Sequence, residues 1–186
     1  WLGLRPEAVA EHISIELAMA VVSLREAKDP DEIAELERAA AIGYEMHTTA
    51  MRMCRPGIVE RDIAGAIEGV ALARGAGVSF ASIVSQHGET LHNHNHDGVL
   101  EAGRLLLVDA GAETTMHYCC DYTRTMPVSG RFTERQKDVY NIVLAANNRA
   151  FELSRPDAFY KDIHLEAARV LTRGLKDLGL MQGDVD

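Results

Sequence analysis

Apolar residues recur at helical spacing near both ends of the chain and at strand spacing in its middle third, and this division predicts the order of elements. Between Lys28 and Gly57, Ile33, Leu36, Ala40, Tyr44 and His47 return every three or four positions, the pattern of one buried helical face. Asp29 stands where a cap is needed, Pro30 suits the first turn, and Glu32 can reach back to the cap amide. Arg55-Pro56-Gly57 then stops the run. "VERDIAGAIEGVALARGAG" predicts a second helix, with Ile63, Ile67 and Val70 on one stripe and Gly75 and Gly77 behind it. From Val78 the texture changes to short β-branched or aromatic runs punctuated by glycine: "SFASIVSQ", "RLLLVDAGAE" and "HYCCDYTRTMPV". These are the predicted strands. Helices resume in "FTERQKDVYNIVLAANNRAFELS", where Thr133 and Gln136 form a second capping box, and in "YKDIHLEAARVLTRGLKDLGL", which carries Ile163, Val170, Leu171 and Leu175. The fold class is α/β (α+β), ordered helix, helix, strands, helix, helix. Residues 1–24 read as the tail of a preceding domain and 25–186 as the main unit.

Composition narrows the function classes. The chain has 186 residues, 47% of them apolar, enough for one real core. No run approaches the roughly 20 apolar residues that cross a bilayer, so no membrane partner is expected. With 28 acidic against 19 basic residues the net charge is −9, which argues against a nucleic-acid surface. Three cysteines, Cys54 and the adjacent Cys119 and Cys120, have no metal-ligand spacing, and a reducing cytoplasm is the expected home. On alternate faces of a strand, Cys119 and Cys120 read as one core and one outward residue rather than as a nucleophile.

The candidate chemistry lies in "LVDAGAETTMHYCCDYTRTMP". The apolar run ends in Asp109, the chain turns through "ETTM", and it returns to Asp121, so the two acids stand symmetrically about Thr115. A hairpin centred there places the carboxylates directly opposite on one face, with Cβ atoms roughly 4.5–5.5 Å apart. Like charges so placed repel, and burial beside Leu105 to Val108 raises the cost. Three readings relieve it: a solvated hairpin, a proton-sharing dyad, or a divalent cation held by hard oxygen ligands. Thr123 shares the strand face of Asp121 and could orient it. "LHNHNHD" sets His92, His94 and His96 on alternate positions; extended, they would share one face and could hold zinc, or merely line a solvated loop. His47, His117 and His164 have no evident partner.

"LLLVDAGAE", "CDYTRTMPVSGRFTERQKDVYNIVL" and, upstream, "GETLHNH" resemble the pita-bread metallopeptidases, and most closely their Xaa-Pro aminopeptidase and dipeptidase branch. The resemblance runs from about Leu24 to Asp184. It implies a pita-bread fold of which only the first half is present, and a two-metal centre in which Asp109 binds one ion and Asp121 bridges both. His92, seventeen residues before Asp109, takes the place of a histidine that contacts substrate and steadies the tetrahedral intermediate. The implied cofactors are two divalent ions, manganese first, cobalt or zinc as alternatives. The implied substrates are short proline-containing peptides, and the full-length protein is expected to be a homo-oligomer. The interval from Asp109 to Asp121 is one residue longer than in most members, which places an altered tip on the hairpin. The family completes its site with a His, in an "HGxGH"-like stretch, and two Glu; no such stretch occurs here. The chain therefore reads as a fragment, inactive alone. A non-catalytic peptide- or protein-binding module and a metal-independent creatinase-like hydrolase are the rival functions on the same scaffold.

Overall fold

The computed structural model describes residues 3, 5, 8–9 and 12–185. The expected tail, 1–24, falls partly outside them; its described part includes the start of α1, Ile15–Glu26, a helix capped by Ser14 with no buried residue. Helix α2, Pro30–Met53, starts at the expected capping box, in which Asp29 accepts from the Glu32 amide and Glu32 returns the bond. Helix α3, Glu60–Arg74, ends at Gly75.

The strands are shorter than the apolar runs that predicted them. They are β1 Gly77–Val78, β2 Ile83–Ser85, β3 Leu105–Ala110, β4 Ala112–Glu113 and β5 Tyr122–Pro127. Strands β2, β3 and β5 form one antiparallel sheet in the order β2-β3-β5, and β1 pairs with β4. Helices α4, Glu134–Leu153, and α5, Tyr160–Asp177, follow, the first opening on the Thr133–Gln136 capping box.

The core lies between α2, α3 and one face of the sheet. Along β3 the buried residues Leu106, Val108 and Ala110 alternate with half-buried Leu105, Leu107 and Asp109. Leu106 and Val108 are fully buried in the core cluster that also holds Met46, Ile63 and Ile67, each such side chain contributing roughly 1.5–3 kcal/mol by leaving water. Among the described residues no helix packs on the second face, and Asp109 lies on it.

The stripe expected on α2 is corrected. His47 is buried as expected, and Leu36 and Ala40 are half-buried, but Ile33 is 48% and Tyr44 71% exposed, and Ala39, Gly43, Met46 and Ala50 complete the buried face. Small residues decide the rotation, because a Cβ on Gly43 would stand 2.7 Å from Cys120 Sγ and 2.9 Å from the Tyr122 ring. Close approach of backbone and strand outweighs the burial that Ile33 and Tyr44 would gain.

Helices α4 and α5 pack chiefly on each other, crossing so tightly that a Cβ on Gly174 would meet Ile142 at 2.6 Å. Ile163, Val170, Leu171 and Leu175 are half-buried in that contact. Phe151 and Tyr160 are each 83% exposed, so this pair keeps apolar surface uncovered.

Candidate metal centre

The hairpin that carries the acids is centred on Met116, not on Thr115. Asp109 faces Thr123, Ala110 faces Tyr122, and beyond Gly111 the same register continues, with Cys120 N–H donating to Ala112 and Thr114 N–H to Tyr118. The expected directly opposed carboxylates are thus corrected to a diagonal pair separated by the Ala110–Tyr122 rung. A shift of two residues preserves the face, so both acids remain on the helix-free side. The reversal is made by Thr115, Met116 and His117, with His117 at φ 66 and bonded through Nδ1 to Glu113 at 2.7 Å. Register is continuous along the whole hairpin, which leaves any extra residue to the tip. Tyr118 fastens that tip to the start of α2 by donating to Glu32 at 2.8 Å.

Gly111 sits between the two sheets where the strands come closest. A Cβ there would collide with the Cys120 carbonyl oxygen and lie 2.5 Å from Ser79 Oγ. Cys120 is buried and Cys119 exposed, as alternation requires.

Electrostatics mark the pair. Partial desolvation pushes the Asp121 carboxyl above the ordinary carboxylate range, and the neighbouring Asp109, as a charge and as a hydrogen-bonding group, adds to the rise. Asp109 Oδ1 is buried with no hydrogen-bond partner among the described residues. An orphaned buried acceptor costs about 1–3 kcal/mol, and a cation on the open face would relieve both the orphan and the repulsion. The donor set is oxygen only, suited to hard divalent ions. Among the described residues no group of three or more His, Cys, Asp or Glu converges, so the pair is part of a coordination shell rather than a whole one.

The other expected residues stand apart from this pair. Thr123 is the direct cross-strand partner of Asp109; its carbonyl accepts from Arg124, and among the described residues its hydroxyl bonds neither carboxylate. His92 is exposed on the β2–β3 loop at φ 51, a left-handed conformation that breaks the alternation of His92, His94 and His96. His96 instead bonds the Ser82 carbonyl at 3.1 Å, and His92 makes no hydrogen bond to Asp109 or Asp121 among the described residues.

Two buried polar residues, Glu60 and His47, make contacts that the sequence did not foretell. Glu60, 3% exposed at the start of α3, accepts from the Gln86 amide at 2.8 Å and the Gly98 amide at 3.2 Å. Gln86 in turn donates to the Val99 carbonyl and accepts from the Glu101 amide, so the two fasten both ends of the loop carrying His92. His47 on α2 approaches the Ala110 carbonyl with Nε2 at 3.2 Å and stands edge-on to Tyr122 at 6.1 Å. Burial holds its pKa down, Arg124 adding to the effect against the carbonyls of Ala110 and Tyr122 and the Asp109 charge, and so favours the neutral ring. A first-turn glutamate and a helical histidine have no distinguishing spacing; only the folded contacts set them apart.

The sequence matches the metallopeptidase family M24 over residues 34–183. The chain belongs to that family. It is 37% identical over 187 residues to the Xaa-Pro aminopeptidase of Escherichia coli K12, covering 99% of this chain and 42% of that relative. Against the Xaa-Pro aminopeptidase of Haemophilus influenzae it is 39% identical, covering 88% of this chain and 38% of the other. Among solved structures it is similar to proline aminopeptidase P II from Yersinia pestis, with a TM-score of 0.83, 39% identity, and coverage of 87% and 38% of the two chains. Zinc-substituted Escherichia coli aminopeptidase P in complex with product gives a TM-score of 0.81 at 38% identity, with coverage of 87% and 37%. This M24 chain has part of the pita-bread fold and spans about two-fifths of the length of these relatives.

Proposed function

We propose that this M24 chain contributes the first two carboxylate ligands of a dinuclear centre, in a peptidase that cleaves short peptides at Xaa-Pro bonds. The observation that carries the proposal is the diagonal acid pair on an open sheet face, one of its oxygens buried and without a partner among the described residues. In this reading Asp109 would hold one ion and Asp121 would be shared by two, manganese foremost, with cobalt or zinc able to replace it. Bound there, the ions supply an activated water and a Lewis acid for the scissile carbonyl. The hairpin ladder fixes the two carboxylates on rigid strands, with Thr123 opposite Asp109 on the same rung. His92, exposed on the loop between β2 and β3, is assigned the substrate's side of the site, where an exposed imidazole can meet a peptide carbonyl. Its loop is fastened by Glu60 and Gln86, so it is presented from a fixed base. The remaining ligands, a His and two Glu, are assigned to a companion half that completes the fold. A full-length homo-oligomer in the cytoplasm, acting on proline-containing peptides, is the corresponding whole protein.

The test is cleavage of Xaa-Pro peptides by the full-length protein loaded with Mn²⁺, Co²⁺ or Zn²⁺. Hydrolysis confined to the bond before proline, and lost on chelation, is expected. No cleavage with any of the three ions refutes the proposal.

A further inference from the structure

We infer that His47 is a positioning residue that sets the separation of the Asp109 and Asp121 carboxylates from the opposite face of the sheet. The inference rests on the metal reading of that pair. Three consecutive rungs of the hairpin are Asp109–Thr123, Ala110–Tyr122 and, by continuation of the register, Gly111–Asp121. The two acids therefore sit diagonally across the Ala110–Tyr122 rung, and their distance depends on how that rung is held. His47 holds it. Its Nε2 lies 3.2 Å from the Ala110 carbonyl, and its ring packs edge-on to Tyr122, whose ring is on the helix side of the sheet.

A carbonyl can only accept, so Nε2 carries the proton and donates, and in the neutral ring Nδ1 is left as a bare acceptor. Nδ1 is buried and has no hydrogen-bond partner among the described residues. An apolar side chain of similar size would fill the same space without that orphan. What histidine adds is the N–H directed at Ala110, the residue next to Asp109. Gly43, one turn earlier on the same face of α2, lets the helix come close enough for the bond to form. The arrangement is that of an outer group which fixes a ligand-bearing segment without touching the ion, a role whose loss weakens metal binding while the ligands remain.

The experiment titrates Mn²⁺ calorimetrically into chelator-stripped full-length protein and records melting temperatures with and without Mn²⁺, for wild type, His47→Gln, His47→Asn and His47→Phe. The Gln amide nitrogen reaches the place of Nε2, whereas the Asn nitrogen reaches only that of Nδ1. Expected is a loss of about 10- to 100-fold in Mn²⁺ affinity for Asn and Phe, with Gln recovering most of it. The gain in melting temperature on adding Mn²⁺ should shrink in the same order. Should Phe fail to fold, the Gln–Asn difference decides. Equal affinities in all variants, equal losses for Gln and Asn, or melting temperatures lowered by the same amount with and without metal would each overturn the inference. A wild type that takes up no Mn²⁺ removes the metal reading itself, and the positioning role with it.

Discussion

Glu60→Gln isolates the polar latch beneath the His92 loop with little change of shape. In the native protein one carboxylate, 3% exposed, accepts two backbone amides, Gln86 N–H on Oε1 and Gly98 N–H on Oε2. A carboxamide can keep one of these bonds, but its NH₂ then faces the other amide, donor against donor. One charge-assisted bond of about 1.5–3 kcal/mol disappears and one buried N–H is orphaned, so a net loss of about 2–4 kcal/mol is expected. With a urea m-value of about 2 kcal/mol/M, the unfolding midpoint should fall by about 1–2 M. Glu60→Leu orphans both amides and should cost more than Gln. Hydrogen exchange locates the effect: the amides of Gln86 and Gly98 should lose protection before those of β3. The loop closes on the carboxylate through Gly98, where a Cβ would lie 2.7 Å from the Glu60 carboxyl carbon, so it has little room to repack. A change within about ±0.5 kcal/mol, the range of an ordinary surface substitution, or a Leu variant more stable than the Gln variant, would refute the reasoning.

Asp121→Asn should be neutral or stabilising in chelator-stripped protein at pH 7, because the raised carboxyl contributes stability only while protonated. That contribution is complete below the ordinary Asp value of about 3.9 and is lost as pH rises through the raised one, so melting curves across this window should show the Asn advantage fade on acidification. Metal analysis of the same variant and of Asp109→Asn should show reduced content, and unchanged stoichiometry in both would remove these residues from the site. Gly111→Ala forces a methyl against the Cys120 carbonyl between the two acids; a loss of about 1–3 kcal/mol by overpacking, with less bound metal, should appear in denaturant melts and metal assays, and a wild-type-like variant would contradict the close approach.

Local signals in the sequence were sufficient for α2 to α5, whereas α1 was not predicted. The capping boxes at Asp29–Glu32 and Thr133–Gln136 join residues three apart and form as the sequence predicts, because each is closed within a single helical turn. Alternation likewise placed Asp109 and Asp121 on one face and separated Cys119 from Cys120, because the period of a strand is fixed by its backbone. Register is different. Centres at Thr115 and Met116 satisfy the same alternation, and only the tip geometry, with His117 at φ 66 and Tyr118 tied to Glu32, selects the second. The rotation of α2 was hidden for a related reason: hydrophobicity favours Ile33 and Tyr44, but the close approach of Cys120 and Tyr122 to Gly43 is a contact between segments about 80 residues apart. Glu60 gave no sign of burial in the sequence, and neither it nor His47 showed a partner there, until folding brings Gln86, Gly98 and Ala110 within hydrogen-bonding distance. The sequence by itself determined which residues could carry charge onto the sheet; the tertiary structure decided how far apart they stand and what holds them there, because both depend on contacts between segments that local periodicity does not encode.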